Sequence, residues 1–319
     1  MDNQRFRNYV WVTLAYTQLV ILWGAVVRAT GSGAGCGSHW PTCNGEIIAR
    51  PESVETMIEL SHRLTSTLSG FLVMILLFWA YRAFPKGHLV RRGAVVSFFF
   101  ILMEGLIGAL LVRLELVGDN SSIERAVMIA IHLVNTFFLI AAIVLTGWWS
   151  KNKEFNFRFR DTQITWLLII GAIGFFLLGG SGAITALGDT LFPSESLIEG
   201  FREDFSPGAN FLIRLRVYHP IIGIILGIYL LIASNIILER LQTPSVRRFT
   251  NWLRWLFGIE LAVGVVNVLL LAPVWMQVIH LLLADLIWLA AVLLANEALT
   301  TEPLPMPTHS DSELELEHT

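Results

Sequence analysis

Two stretches decide the fold: MIAIHLVNTFFLIAAIVL at Met128–Leu145 and MQVIHLLLADLIWLAAVLL at Met276–Leu294. As helices rising about 1.5 Å per residue, each covers most of a hydrocarbon core about 30 Å thick. Only a helix satisfies its own backbone within one segment in lipid, so each reads as a membrane span. Each also carries one histidine near its start, His132 and His280. An imidazole at membrane depth is costly and marks function by default.

The rest of the chain extends this pattern. The 319 residues are 55% hydrophobic and 15% charged, with a mean hydropathy of +0.64. A soluble chain is roughly 45–50% apolar and about 25% charged. The apolar residues fall into eight blocks, near 9–28, 64–82, 93–112, 126–149, 162–187, 212–238, 255–272 and 274–296. The chain therefore reads as an all-α polytopic membrane protein. The first run is longer than the apolar region of a signal peptide and reads as a retained helix. A net charge of −3 gives no reason to expect a nucleic-acid partner.

Orientation follows from the basic residues. Arg5 and Arg7 precede the first block. Arg82, Lys86, Arg91 and Arg92 follow the second, Lys151, Lys153, Arg158 and Arg160 the fourth, and Arg240, Arg247, Arg248 and Arg254 the sixth. The positive-inside rule then puts both termini in the cytoplasm of a multi-pass protein of the cytoplasmic (inner) membrane. The loops near 29–63, 113–125 and 188–216 face outward. Residues 298–319, rich in Pro, Thr, Ser and Glu, read as a disordered acidic tail.

The sequence repeats. RATG at Arg28–Gly31 matches TALG at Thr185–Gly188, and His62 matches His219, both at an offset of 157. Glu104 in MEGLIGAL matches Glu260 in IELAVGVV, and His132 matches His280. Each half holds an even number of spans, so the expectation is two pseudo-symmetric parallel four-helix bundles, residues 1–150 and 160–297, with N-in and C-in topology.

Four histidines, His62, His132, His219 and His280, lie at the outer ends of their spans. Facing histidines in a helical bundle can ligate haem iron, and two pairs predict two haem sites near the outer face. The competing reading is hydrogen bonding between helices. Zinc suits the pattern less, since its sites take three or four protein ligands and no cysteine lies at that depth. The halves differ at one place. Glu59 stands one turn before His62, and its counterpart before His219 is Arg216. A carboxylate at a helix start is favoured by the helix dipole; it also suits proton handling at a reactive site. The first half thus reads as the reactive one.

Arg28, Arg63, Arg125, Arg214 and Arg216 line the same edge, as contacts for haem propionates or as interfacial anchors. Glu104, Glu260 and Asp285 lie at membrane depth, as interhelical contacts or a proton path. Cys36 and Cys43 flank GSHWPT in the first outer loop, where a disulfide is feasible, either as a staple or as a redox-active pair. In ESLIEGFREDF, residues Leu197, Ile198, Phe201 and Phe205 have the spacing of a helix lying on the membrane surface.

ELSHR at Glu59–Arg63, HLVNT at His132–Thr136, RVYHP at Arg216–Pro220 and the loop GCGSHWPTCNG, set in two four-helix halves, resemble the haem A synthase family over about residues 8–296. The resemblance implies oxidation of a porphyrin methyl group of haem O, through a hydroxymethyl stage, to the formyl group of haem A for cytochrome oxidase. It implies that His219 and His280 ligate a resident haem b. His62 and His132 would hold the substrate haem. Glu59 would be the catalytic carboxylate, either stabilising positive charge at the oxidised carbon or activating water. Haem O synthase, oxidase assembly factors and an electron acceptor are the implied partners. Two other readings share the four histidines or the parallel repeat: a dihaem b-type cytochrome for electron transfer or quinol oxidation, and a transporter. Haem O synthase itself would need aspartate-rich diphosphate motifs, and the inner loops have none.

Overall fold

The computed structural model describes residues 3–47, 50–51, 53–151, 157 and 161–301. The expected acidic tail therefore lies almost entirely outside the described residues, as do Lys153, Arg158 and Arg160. Ten α-helices are described: α1 (Asn3–Ala29), α2 (Val54–Ala83), α3 (Leu89–Arg113), α4 (Ile123–Trp149), α5 (Thr162–Leu191), α6 (Leu197–Asp204), α7 (Phe211–Arg216), α8 (Tyr218–Leu241), α9 (Pro244–Leu269) and α10 (Val274–Thr300). No strand is found among the described residues. Eight segments are long and apolar enough to span a membrane, with α7 and α8 forming one of them across a break at Val217.

Several helices start earlier than hydropathy alone suggests, because polar caps close them. The Ser53 side chain accepts from Thr56 N at the start of α2, and the Thr243 side chain from Val246 N at the start of α9, where Pro244 follows. Such caps satisfy otherwise orphaned N–H groups. The α2 cap matters most. It adds nearly three turns of mixed polarity to the expected span and puts both Glu59 and His62 inside the helix.

Side-chain contacts fix the alternating direction of the helices. Phe6 at the start of α1 meets Trp79 near the end of α2, with ring centroids 5.8 Å apart. Trp148 and Trp149 at the end of α4 donate to Glu297 and Asn296 near the end of α10. Arg240 at the end of α8 pairs with Asp161 just before α5 at 2.7 Å. Both described termini therefore lie on one side, opposite the cysteine loop.

The two halves meet along α1, α4, α5 and α10. Trp288 fills the seam, 5.6 Å from Phe137 and 5.3 Å from Phe175, and its Nε1 donates to Phe137 O at 2.8 Å. Gly179 permits the approach, since a Cβ there would stand 2.5 Å from the Phe137 ring. Leu19, Phe78, Leu177 and Ile225 point outward, while Thr13, Thr17, Ser69 and Asp285 are buried. In lipid, close packing and interhelical hydrogen bonds hold helices together, so small and polar residues belong inside.

Candidate functional site

All four histidines stand within the first ten residues of their spans, between the seventh and the tenth position. That is about 9–14 Å along the axis at 1.5 Å per residue, on the side of the cysteine loop.

In the first half, His132 on α4 has its Nδ1 2.9 Å from Glu104 Oε2 on α3. Thr136 Oγ1, one turn along α4, donates to the other oxygen of Glu104 at 2.8 Å. His132 Nδ1 is fully buried, yet a third of its side chain (33%) is accessible. His62 on α2 packs on Gly24 of α1, where a Cβ would come within 2.9 Å of the ring. Its Nδ1 is buried with no hydrogen-bond partner among the described residues.

The second half repeats the plan. His280 on α10 has Nδ1 3.1 Å from Glu260 Oε1 on α9, with 28% of its side chain accessible. His219 packs on Gly182 of α5, again with a Cβ position 2.9 Å from the ring, and its Nδ1 lies 3.1 Å from Ser181 Oγ. The two rings face each other with centroids 6.1 Å apart and planes at 85°. Two imidazoles bound trans to one metal, with metal–nitrogen lengths of about 2 Å and ring radii of about 1.1 Å, stand about 6 Å apart by centroid. Metal-binding histidines characteristically turn the other nitrogen to a carboxylate or carbonyl. In the second half, the buried Nδ1 of His280 and this ring separation fit residues that would hold a haem iron. No cluster of three or more His, Cys, Asp or Glu residues suited to a bare metal ion occurs among the described residues.

Glu59 sits over the first site, 3% exposed. Its Oε2 accepts from Cys36 N at 2.8 Å, and its Oε1 accepts from Arg63 Nε and Nη2 at 3.1 and 2.5 Å. Arg63 Nη1 donates on to His39 O and Thr42 O, both at 2.8 Å. Cys36 and Cys43 form a disulfide. The loop they close rests on the start of α2, where Thr56 Oγ1 donates to Gly35 O at 2.7 Å. A Cβ at Gly35 would lie 2.5 Å from the Glu55 backbone, so only glycine permits this seat.

Arg216, the counterpart of Glu59, anchors the corresponding loop of the other half. It reaches Asp189 at 3.3 Å, Ser194 Oγ at 3.2 Å and Asp204 more closely. It thereby ties down α6, the expected surface helix, whose Ile198, Phe201 and neighbouring Phe205 are exposed. Arg28 bridges the halves: its Nη1 donates to Ala186 O and Thr190 Oγ1, and its Nη2 to Gln277 Oε1 at 2.8 Å. Arg125 donates to Gly118 O and Asn120 O within its own loop. Arg214 is exposed. Asp285 is fully buried and accepts from Gln18 across the seam.

Sequence reasoning passed over Gly24, Gly182 and Ser181. A partial signal was available: Gly24 and Gly182 stand four and three residues, about one turn, before the matched RATG and TALG, one residue out of step with the repeat.

These features define a multi-pass helical protein of the membrane-spanning kind, with a pair of histidines repeated in each half. Residues 7–292 match the sequence pattern of COX15-CtaA, described as a cytochrome oxidase assembly protein, and the chain belongs to this family, which includes haem A synthases. A Thermus thermophilus protein named protoheme IX farnesyltransferase is 49% identical over 296 residues, 92% of this chain and 48% of the relative. A heme A synthase of Alkalihalophilus pseudofirmus is 28% identical over 80% of this chain and 84% of its own length. One from Geobacillus kaustophilus is 40% identical over 142 residues, 44% of this chain and 42% of its own. The chain thus spans about half the length of the Thermus relative and under half of the Geobacillus one.

Proposed function

We propose that the chain is a haem A synthase, oxidising a methyl group on the haem O ring through a hydroxymethyl stage to a formyl group, for cytochrome oxidase assembly. The observation that carries this reading is the twinned histidine plan with a buried carboxylate, Glu59, over one site alone. In this reading His219 and His280 hold a resident haem b, which supplies one-electron redox chemistry when bound. His62 and His132 hold the substrate haem. Each of the two oxidations passes two electrons to an external electron acceptor, and Glu59 would take a proton from the water that attacks the methyl carbon once it has given up its electrons and a proton. Arg63 and Cys36 N keep the carboxylate fixed while this happens. Arg63, with the loop around it, also suits a substrate propionate.

The basic residues of the terminal face support a location in the cytoplasmic membrane, with the haem sites near the extracytoplasmic face. The farnesyltransferase name of the Thermus relative, which joins a match to this chain to as much further chain, supports a haem O-forming enzyme as the supplier of substrate.

The test is to express the chain with a source of haem O, extract the haems and identify them by mass spectrometry. Haem A and its hydroxymethyl precursor are expected. Their absence with intact protein would refute the proposal and favour a dihaem electron-transfer cytochrome. Glu59→Ala should keep the resident haem and stop conversion. A second role for Glu59 is favoured by its bond to Cys36 N, that of holding the cysteine loop. Glu59→Gln separates the two, since it keeps an acceptor for Cys36 N and removes the base.

A further inference from the structure

The four imidazoles are not equally supported at Nδ1. His132 Nδ1 and His280 Nδ1 each lie within ion-pair distance of a largely buried carboxylate, at 2.9 and 3.1 Å, a contact that lacks hydrogen-bond geometry. His219 faces the Ser181 hydroxyl at 3.1 Å. That hydroxyl donates to Leu178 O, which leaves its oxygen to accept from the imidazole. His62 Nδ1 has neither a hydrogen bond nor a carboxylate at ion-pair distance among the described residues. The order is therefore carboxylate, hydroxyl, nothing, and the unsupported histidine belongs to the first half.

We infer that Glu104 and Glu260 make His132 and His280 the anchoring ligands of their sites, and that His62 is the exchangeable ligand of the first. This rests on the haem reading given above. A carboxylate receiving Nδ1–H fixes the tautomer with the Nε2 lone pair free, orients the ring and strengthens the nitrogen as a donor. Losing such a partner typically weakens metal affinity about 10–100-fold. Thr136 in turn holds Glu104 by its hydroxyl, so the carboxylate cannot swing away without losing that bond. His62 packs against Gly24 and lacks such a carboxylate contact.

The consequence fits the use of each site. A resident haem is kept by two supported ligands. A substrate haem has to enter and product has to leave, and one weak ligand lowers the barrier to both. Glu104 and Glu260 are positioning residues: they act through the imidazoles, not on the ring methyl group.

The experiment uses the purified full-length protein and added iron protoporphyrin IX, followed by absorption and electron paramagnetic resonance spectra and redox titration. His62→Ala should still bind the first haem, now five-coordinate and high-spin. His132→Ala should lose it. Glu104→Ala should weaken the first site about 10–100-fold. Glu104→Gln, which keeps a neutral acceptor, should bind haem and shift its potential upward. Glu260→Gln should shift the resident haem in the same direction, an independent reading if the Glu104 variants fail to fold. Equal loss of haem in His62→Ala and His132→Ala, or unchanged potentials in both Gln variants, would overturn the inference and leave the haem reading standing. A wild-type protein that binds no haem would overturn both.

Discussion

Replacing Gly182 by alanine tests whether His219 is held where the helix packing puts it. The added Cβ would lie 2.9 Å from Cε1 of that ring, 3.3 Å from Nδ1 and 3.5 Å from Nε2. Carbon atoms rest at about 3.5–4.0 Å, so the ring has to retreat by roughly 0.6 Å. Overpacking of this kind costs about 1–3 kcal/mol. The change also removes a glycine from a helix interior, which returns about 1 kcal/mol. The fold should therefore survive with a small loss. The site is less forgiving, since a ligand constellation has to be held within about 0.5 Å. Gly182→Ala should then melt near the wild-type temperature but lose or broaden the low-spin signal of the second site. Gly24→Ala should do the same to the first site and leave the second alone. Gly258→Ala, where nothing lies within 4 Å of the new Cβ, is the control and should be silent in both. Unchanged spectra in Gly182→Ala and Gly24→Ala would refute the argument that these glycines set the ring positions.

Three further outcomes follow from the contacts at the edges. Arg28→Met removes three hydrogen bonds that join α1 to α5 and α10, and should cost about 3 kcal/mol in thermal unfolding in detergent. Arg28→Lys should not rescue it, because one ammonium cannot span the three acceptors; full rescue would show that charge alone is needed. Replacing both Cys36 and Cys43 by serine releases a short loop and should cost about 2–3 kcal/mol, read as faster proteolysis between α1 and α2; unchanged resistance would mean that Thr56 and Arg63 suffice to hold the loop. At the opposite face, burial raises the Asp161 carboxyl, but the Ile164 N–H and Arg240 outweigh it and hold the carboxyl below its usual range. Its contribution to stability is thus present above the ordinary carboxylate value and lost as pH falls through the lowered one. Asp161→Asn should remove that acid-side loss, and an identical acid transition in the variant would contradict the assignment.

The membrane fold was legible in the sequence because lipid imposes long apolar helices, and the repeat was legible because four histidines and two glutamates recur in matched surroundings. What hydropathy misjudged was the start of α2. Val54, Met57, Ile58 and Leu60 are interspersed with polar residues after Ser53 and make no continuous apolar run, yet a side-chain cap begins a helix there. Pairing was hidden for a different reason. Glu104 and His132 are on separate helices, and nothing in their spacing says that one carboxylate backs the other's ring. The arginines show the same limit. Their charge and edge position fitted propionate contacts, while Arg28, Arg125 and Arg216 are engaged with protein acceptors that only the folded chain brings near.

Glu59 and Arg216 sharpen the argument about where the reaction takes place. In sequence they look like a substitution of acid for base at one position of a repeat. In space each ties its half's outer loop to the top of its bundle, Glu59 through Cys36 N and Arg216 through Asp189 and Asp204. Anchoring is therefore common to both and cannot explain the difference in charge. Arg216 is paired with Asp189, Glu203 and Asp204, and Glu59 with Arg63, so neither stands as a bare charge over its site. What differs is the group one turn before the histidine, a carboxylate in the first half and a guanidinium in the second. A carboxylate at that place suits a site that has to move protons. The unsupported His62 points the same way, because a site built for turnover gains from a ligand that lets go. Two independent departures from the repeat, one in charge and one in hydrogen bonding, fall on the same half, and together they favour chemistry there over electron transfer alone.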